Sequence, residues 1–233
     1  MSMVQQDLSM VQQDLSMVQQ DLYNIYRCLY SSGEDIQECI QDYNTPGHAL
    51  QYELTAEALE YHAPSYCADL LAGLLVNIRG QATVLDAAAG SGQVGVELSK
   101  RGFKNITAQD GSFCMLDLCR EKGVYRNYMC CLIESDRRMP IDDGVYDAVT
   151  ISGAILEHHL PHSCQAEFAR VVKRGGYIIA AYDSDILNSD YGRLWEKETR
   201  RLLDDAVCSL YAKVIVPNYM KDRKGVINVL QVL

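Results

Sequence analysis

Short apolar runs alternate with amphipathic segments from Thr83 to the end of the chain. Short, mostly apolar runs are typical of strands buried on both faces, and an apolar residue every three or four positions is typical of a covering helix. Five such runs predict strands at Thr83 to Ala87, Asn105 to Gln109, Tyr128 to Ile133, Tyr146 to Ser152 and Gly176 to Tyr182. Helices are predicted at Gln93 to Arg101, Phe113 to Glu121, His162 to Val172 and Gly192 to Ala206.

Two further apolar runs, Tyr211 to Val216 and Val226 to Leu233, are separated by the polar turn Met220 to Gly225. Strands joined by a short turn pair antiparallel, whereas strands separated by a helix pair parallel. Upstream, a helical pattern from about Thr55 to Ile78 is interrupted at Pro64. The chain is therefore predicted to be α/β, with a mostly parallel seven-stranded sheet, an antiparallel C-terminal hairpin strand, helices on both faces and an N-terminal helical cap.

The N-terminal segment has a different period. Ser-Met-Val-Gln-Gln-Asp-Leu occurs three times from Ser2 to Leu22, and apolar residues recur alternately four and three positions apart from Val4 to Leu29. Such a repeat predicts one apolar stripe along a helix, which would allow a weak coiled-coil homodimer. The flanking Gln and Asp positions lack complementary charges, so a tail without function, on a monomer, is the preferred interpretation. We divide the chain into a repeat-containing tail, residues 1–33, and a domain, residues 34–233.

The amino-acid composition indicates which partners and which cellular compartment to expect. The chain has 31 Asp and Glu against 21 Lys and Arg, and its net charge of −10 repels phosphate backbones and anionic lipid. Neither nucleic acid nor a membrane is therefore expected as a partner. The nine cysteines are odd in number and lack Cys-x-x-Cys spacing, no apolar run could span a bilayer, and residues 1–22 do not resemble a signal peptide. A soluble cytoplasmic protein is predicted.

The segment from Thr83 to Gly95 has the form of a strand, a glycine turn and the start of a helix. Gly90 and Gly92 permit positive φ and let a ligand approach bare backbone, while the first amides of the helix favour an anionic group. Gly90-x-Gly92-x-x-Gly95 also satisfies the dinucleotide fingerprint, so the glycines alone do not identify the ligand.

Two acids lie at the ends of predicted strands beside this turn. Asp86 lies four residues before Gly90, where a carboxylate would repel a pyrophosphate and attract an ammonium group. Asp110 lies 18 residues after Gly92, at the end of the next strand, where a carboxylate accepts hydrogen bonds from ribose hydroxyls. The pair favours a ligand with both a ribose and an amino-acid end, such as S-adenosylmethionine.

Four separated motifs resemble those of the class I S-adenosylmethionine-dependent methyltransferases, in order and in spacing. They are Asp86-Ala-Ala-Ala-Gly-Ser-Gly92, Asp110-Gly-Ser-x-x-Met-Leu116, Met139-Pro-Ile-Asp-Asp-Gly-Val-Tyr-Asp-Ala-Val149 and Val172-Lys-Arg-Gly-Gly-Tyr177. More narrowly, Tyr52-Glu-Leu-Thr55, Tyr61-His-Ala-Pro64 and Ser152-Gly-Ala154 are similar to the methyltransferase-like protein 27 family. The resemblance covers about residue 34 to the end and implies a Rossmann-like sheet.

The resemblance implies S-adenosyl-L-methionine as the cofactor. The implied binding residues are Asp86, Ala87, Gly90 and Gly92 at the methionine end, Asp110 and Gly111 at the ribose, Ile133 and Glu134 at the adenine, Ser152 at the floor and Tyr52 as a lid. Ser135 stands where many members of the class place an acid that binds the adenine amino group. Members of the family usually have a tryptophan between two tyrosines in this upstream segment, and none lies between Tyr43 and Tyr52 here. Tyr52 is therefore a better candidate for the lid than Tyr43.

Methyl transfer from a sulfonium is a direct displacement, so positioning supplies most of the rate, and a base is needed only for an acceptor that loses a proton. The catalytic residue is not identified; the weak candidates are Glu157, His158, His159 and Asp183, which follow the fourth and fifth predicted strands. The spacing of His159, His162 and Cys164 is not typical of zinc, so no metal is expected.

The residues alone leave three hypotheses about the function open. A methyltransferase that acts on a small molecule or a protein side chain is favoured. An NAD(P)-dependent oxidoreductase also uses the glycine turn. A non-catalytic nucleotide-binding scaffold that dimerises through its heptads is the third hypothesis.

Overall fold

A computed structural model describes residues 35–135 and 137–233, and the predicted heptad helix lies outside them. The strands of the described residues are β1 (Thr83–Ala87), β2 (Asn105–Asp110), β3 (Asn127–Cys130), β4 (Tyr146–Ser152), β5 (Val172–Asp183), β6 (Cys208–Met220) and β7 (Arg223–Val232). The helices are α1 (Ile36–Tyr43), α2 (Pro46–Ala58), α3 (Ala63–Leu74), α4 (Gln93–Lys100), α5 (Phe113–Lys122), α6 (Cys164–Val171) and α7 (Asp190–Asp204), with a 3-10 helix at Ser184–Asn188.

The strands form one seven-stranded sheet in the order β3-β2-β1-β4-β5-β7-β6. Neighbours from β3 to β5 are parallel, and β7 is antiparallel to both β5 and β6. This confirms the predicted α/β fold with its mostly parallel seven-stranded sheet and antiparallel C-terminal hairpin. Because β1 lies between β2 and β4, the carboxyl ends of these three strands meet at one edge.

Each face of the sheet is covered by its own apolar core. Successive strand residues point to opposite faces, so Val84 packs with Leu71 and Leu98 of α3 and α4, while Leu85 packs in the core that includes Phe168 and Trp195 of α6 and α7. Helices therefore lie on both faces, as predicted.

The bounds of β1 and β4 match the prediction, but those of β3 do not. The strand ends at Cys130, three residues before the predicted Ile133. Beyond it the backbone is held by other bonds: the Cys131 amide donates to the Asp110 carbonyl at 3.1 Å, and the Gln109 side chain donates to the Cys131 carbonyl at 2.7 Å. The apolar residues that extended the predicted strand line a cavity instead.

The helices α1 and α2 form the N-terminal cap, and they are fixed to the start of α5. The Asn44 side chain accepts from the Phe113 amide at 3.0 Å, and the Ser112 hydroxyl donates to the Tyr43 carbonyl at 2.8 Å.

The helical pattern predicted from Thr55 to Ile78 is two helices, with Pro64 in the first turn of α3. No helix in the described ranges is long and apolar enough to cross a bilayer.

Candidate functional site

The loop after β1 combines left-handed backbone with an open helix start. Gly90 and Gly92 have φ of 53° and 89°, and Gly92 is the N-cap of α4. Ser91 between them is 1% exposed, and its hydroxyl has no hydrogen-bond partner within the described chain. A buried hydroxyl is seldom left unpaired, so the loop is suited to a polar ligand.

Asp110 ties this loop to the end of β2. Its carboxylate accepts from the Gly90 amide at 2.8 Å and from the Ser112 amide at 2.8 Å. Burial raises the pKa of Asp110, and these backbone donors oppose the shift. Each carboxylate oxygen keeps a second lone pair, so the group can still accept from two hydroxyls of a ligand.

Asp86 lies beneath the loop. Its carboxylate accepts from the Tyr125 hydroxyl at 2.7 Å and the Thr150 hydroxyl at 3.2 Å, and burial raises its pKa to about 7. Neither Asp86 nor Ala87 is among the described residues that line the adjoining cavity. The predicted contact of Asp86 with an ammonium group stays a prediction.

A cavity of about 660 Å³, including its opening to solvent, lies over the carboxyl ends of β2, β1 and β4. A second space of about 260 Å³ continues it toward Ser91 and α4, and both are lined by Tyr52, Ala88, Gly90 and Ser152. The main cavity brings together these predicted residues: Tyr52, Gly90, Asp110, Gly111, Ile133, Ser152, His158 and His159. Its further lining residues are Cys39, Ile40, Tyr43, Ala88, Gln109, Met115, Leu132, Gly153, Ala154 and Leu160.

Aromatic side chains of the cap form the roof. Tyr52 lies above Gly90, with 3.8 Å between its ring and the position of a Cβ at that glycine, and its ring stacks edge-on against Tyr43 at 6.0 Å. Burial, followed by the charge of Asp110, raises the pKa of Tyr52 to about 12, so its hydroxyl stays protonated at neutral pH. Tyr52 and Tyr43 thus both lie in the roof of the cavity, and the lid role of Tyr52 stays a prediction.

The floor is built at the end of β4. The Ser152 hydroxyl lies 2.7 Å from the Tyr61 hydroxyl, which lies 3.3 Å from the Tyr219 hydroxyl. Gly153 has a φ of 78°, and a Cβ there would meet the Tyr61 hydroxyl at 2.6 Å. Glycine at this position therefore lets Tyr61 reach Ser152.

His159 lies where the β4 end meets α1. Its Nε2 is 3.3 Å from the Tyr43 hydroxyl and 3.6 Å from the Cys39 sulfur, and its Nδ1 is 3.2 Å from the Glu157 carbonyl. Burial lowers the pKa of His159, and the neighbouring His158 adds to the shift. The ring is therefore neutral at pH 7.

Besides Asp86, Ala87 and Gly92, three further predicted residues line neither space. Glu157 is exposed, and Glu134 pairs with Arg137 at 3.3 Å. Asp183 is buried in an ion pair with Arg223 and caps the following 3-10 helix. No cluster of three or more His, Cys, Asp or Glu within the described ranges could hold a metal.

Sequence reasoning missed Gln109 and the residues of α1. Gln109 accepts from the Ala88 amide at 3.1 Å and donates to the Cys131 carbonyl, so it connects the loops after β1 and β3. A polar residue inside an apolar strand run was its available signal. Cys39 and Ile40 lie in a polar segment without a motif, so their position follows from tertiary packing alone.

Part of the chain is similar to known methyltransferases. Residues 85–180 match the family described as a methyltransferase domain. Methyltransferase-like protein 27 of Homo sapiens is 30% identical over 154 residues, which are 66% of this chain and 62% of that protein. The matched region thus spans less than two thirds of this relative.

Solved structures share the fold. A TehB-like SAM-dependent methyltransferase from Corynebacterium glutamicum has a TM-score of 0.56 at 17% identity, over 81% of this chain and 100% of that one. Geranyl diphosphate C-methyltransferase from Streptomyces coelicolor, solved with S-adenosyl-L-homocysteine, has a TM-score of 0.51 at 15% identity, over 71% and 75%.

Proposed function

Because the chain contains a class I methyltransferase domain, we propose that it binds S-adenosylmethionine over the ends of β1, β2 and β4 and transfers the methyl group to a small molecule or a protein side chain. The observation that carries the proposal is the pair of adjoining spaces that share Tyr52, Ala88, Gly90 and Ser152 and together reach from Ser91 to Asp110. Ser91 and Asp110 are the polar groups at the two ends, and Leu132 and Ile133 form an apolar wall beside Asp110.

The methionine end of the cofactor fits the loop after β1. The buried Ser91 hydroxyl without a partner would bond to the carboxylate of the cofactor, and the first amides of α4 would offer it their hydrogens. Gly90 lines both spaces and leaves room for the ligand against the backbone. A Cβ on Gly92 would meet Cys119 and Tyr125, so packing beneath the loop, together with its positive φ, accounts for that glycine.

The adenosine end fits the ends of β2 and β3. Asp110 would accept from both ribose hydroxyls, as a carboxylate in this position does in nucleotide-binding folds. Leu132 and Ile133 line the cavity beside Asp110 and would contact the faces of the adenine ring. We keep the predicted adenine contact at Ile133, but Glu134 pairs with Arg137 and lies off the cavity.

Rate enhancement is expected from positioning. Bound S-adenosylmethionine supplies a methyl group on a sulfonium leaving group. The residues of this chain would orient it: Asp110 holds the ribose, the α4 amides hold the carboxylate, and Tyr52 covers Gly90 and excludes water. Alignment of donor and acceptor in this way can remove several kcal/mol of the barrier.

The third glycine of the fingerprint does not distinguish the two cofactors. A Cβ on Gly95 would overlap the Tyr125 ring, and close packing of this helix is also the role of the third glycine in dinucleotide-binding folds. The methyltransferase hypothesis is favoured instead by the match of residues 85–180 to a methyltransferase domain.

Isothermal titration calorimetry tests the proposal. The protein is expected to bind S-adenosylmethionine and S-adenosylhomocysteine, and Asp110→Ala is expected to weaken binding by about 1–3 kcal/mol, the loss of charged hydrogen bonds. Asp117→Ala, which removes an exposed acid of α5, is the matched control and should leave binding unchanged. Thermal unfolding checks that both variants fold. Lack of saturation by either nucleotide, or tighter binding of NAD⁺, would refute the proposal.

A further inference from the structure

The β4 end of the main cavity has largely apolar walls, and no Asp, Glu, Lys or Arg is among the described residues that line it. Ile40, Ala154 and Leu160 line it, together with His158 and His159. Among the described residues lining the whole cavity there is no Lys, Arg or Glu, and Asp110 belongs to the β2 end. A charged molecule at the β4 end would lose hydration without gaining a partner, which costs several kcal/mol.

The contacts of His159 determine its tautomer. The Glu157 carbonyl can only accept a hydrogen bond, so the Nδ1 atom at 3.2 Å from it carries the hydrogen. Nε2 is then the acceptor, and the Tyr43 hydroxyl at 3.3 Å donates to it. The acceptor lone pair of His159 thus lies among residues that line the cavity.

The surroundings of the imidazole keep it uncharged. Cys39 and Tyr43 face it from α1, and His158 is the titratable neighbour on its own segment. Burial and His158 both lower the pKa of His159 from its ordinary value of 6.5. A neutral imidazole whose acceptor nitrogen can exchange one hydroxyl donor for another is the form that takes up a proton at neutral pH.

We infer that the methyl acceptor is a neutral, largely apolar molecule with an acidic hydroxyl, of the phenol or enol class, and that His159 Nε2 accepts its proton. The inference rests on the proposed function. A base is useful only for an acceptor that must lose a proton, and a neutral hydroxyl enters this end of the cavity without an unpaired charge.

The step balances without a further reactant. The hydroxyl replaces Tyr43 as the donor to Nε2, and its proton passes to the imidazole as its oxygen lone pair attacks the methyl carbon. The carbon–oxygen bond forms while the carbon–sulfur bond breaks, and the bonding pair returns to sulfur, which leaves a thioether. The imidazolium then releases its proton to water.

Binding of three molecules of similar size tests the predicted class. Protein saturated with S-adenosylhomocysteine is titrated with 2-naphthol, 2-naphthoate and 2-naphthylmethylammonium. We expect 2-naphthol to bind at least about tenfold more tightly than either ion. Equal or tighter binding of an ion, or no saturation by 2-naphthol up to its solubility, would overturn the inference. Failure of S-adenosylhomocysteine itself to bind would count against the proposed function instead.

Kinetics test the role of His159. With 2-naphthol and S-adenosylmethionine, we expect formation of S-adenosylhomocysteine at a rate that falls as the pH drops through the pKa of His159. His159→Asn should lower kcat by about 10²–10⁴-fold and remove this limb of the pH profile, with unchanged affinity for S-adenosylhomocysteine. His48→Asn, the same change on the exposed side of α2, is the control. Unchanged kcat and pH profile in His159→Asn, or no turnover by the parent protein, would overturn the assignment.

Discussion

The Tyr125 hydroxyl connects the helix and the strand on either side of the glycine loop. It accepts from the Gly95 amide at 3.1 Å and donates to the Asp86 carboxylate at 2.7 Å. The ring fills the space that a side chain at Gly95 would need, and it also lies against Gly92. The loop is thus supported from below by packing and by hydrogen bonds, which preorganises it for a ligand.

A pair of glycine-to-alanine changes tests this packing. Gly95→Ala should destabilise the fold by about 1–3 kcal/mol, because the added Cβ overlaps the Tyr125 ring. Gly73→Ala is the control, since nothing lies within 4 Å of a Cβ at this helical position, and alanine should be neutral or stabilise by up to about 1 kcal/mol. Urea denaturation measures both. Equal effects would contradict the packing role.

The buried carboxyl of Asp86 predicts a pH-dependent stability. Burial raises its pKa from 3.8 to about 7, so the folded protein keeps a proton that the unfolded chain releases between these values. The stability that this group contributes is therefore lost as the pH rises through this range, at up to about 1.4 kcal/mol per pH unit.

Asp86→Asn has no such proton to lose. Relative to the parent protein, the variant should gain stability between pH 5 and pH 8 in urea denaturation. Asp110 has a raised pKa as well and titrates in both proteins; its charge also raises the pKa of Asp86, so the measured difference includes this coupling. A stability difference that is the same at both pH values would contradict the assignment.

The chemistry of single residues was predictable where a motif fixed the position in the chain. Gly90, Asp110 and Ser152 line the cavity as expected from their places at strand ends. Asp86 also ends a strand, but its side chain turns to Tyr125, 39 residues later in the chain. A partner so distant in sequence leaves no local signal.

At the scale of elements, strands were predictable wherever glycine and polar turns bounded an apolar run. β1 and β4 begin and end as predicted. The predicted β3 was too long because it included Leu132 and Ile133. These two residues follow the end of the strand, and they are apolar because they line the cavity. Periodicity does not distinguish an apolar strand from an apolar pocket wall.

The bounds of α1 could not be predicted from apolar periodicity. It is largely polar and begins at an Asp35 cap that accepts from the Gln37 and Glu38 amides. The bonds of Asn44 and Ser112 then fix its end against α5. These contacts between elements hold the cap in its position over the cavity.

Ligand binding should therefore stabilise the cap. Tyr43 of α1 and Tyr52 of α2 line the cavity, so bound S-adenosylhomocysteine should slow amide hydrogen exchange in both helices. The hairpin of β6 and β7 is the internal control, because none of its residues lines the cavity. Hydrogen exchange followed by mass spectrometry measures this. Protection of the hairpin but not of α1 and α2 would contradict a roof role for the cap.

At the scale of the whole molecule, the strand order brings the candidate site together. Residues 90, 110 and 152 are far apart in sequence, but β2, β1 and β4 are neighbours and end at the same edge. The net charge of −10 is compatible with a sulfonium cofactor and does not identify one. The division after residue 33, the heptad pairing and the acceptor class stay predictions.

A structure determined with S-adenosylhomocysteine bound tests the central claim most directly. We predict the ribose hydroxyls within hydrogen-bond distance of Asp110, the amino-acid carboxylate at the Ser91 hydroxyl and the first amides of α4, and the sulfur facing the β4 end near His159. A nucleotide bound outside this cavity, or bound with its amino-acid end at Ile133 and its ribose away from Asp110, would contradict the account.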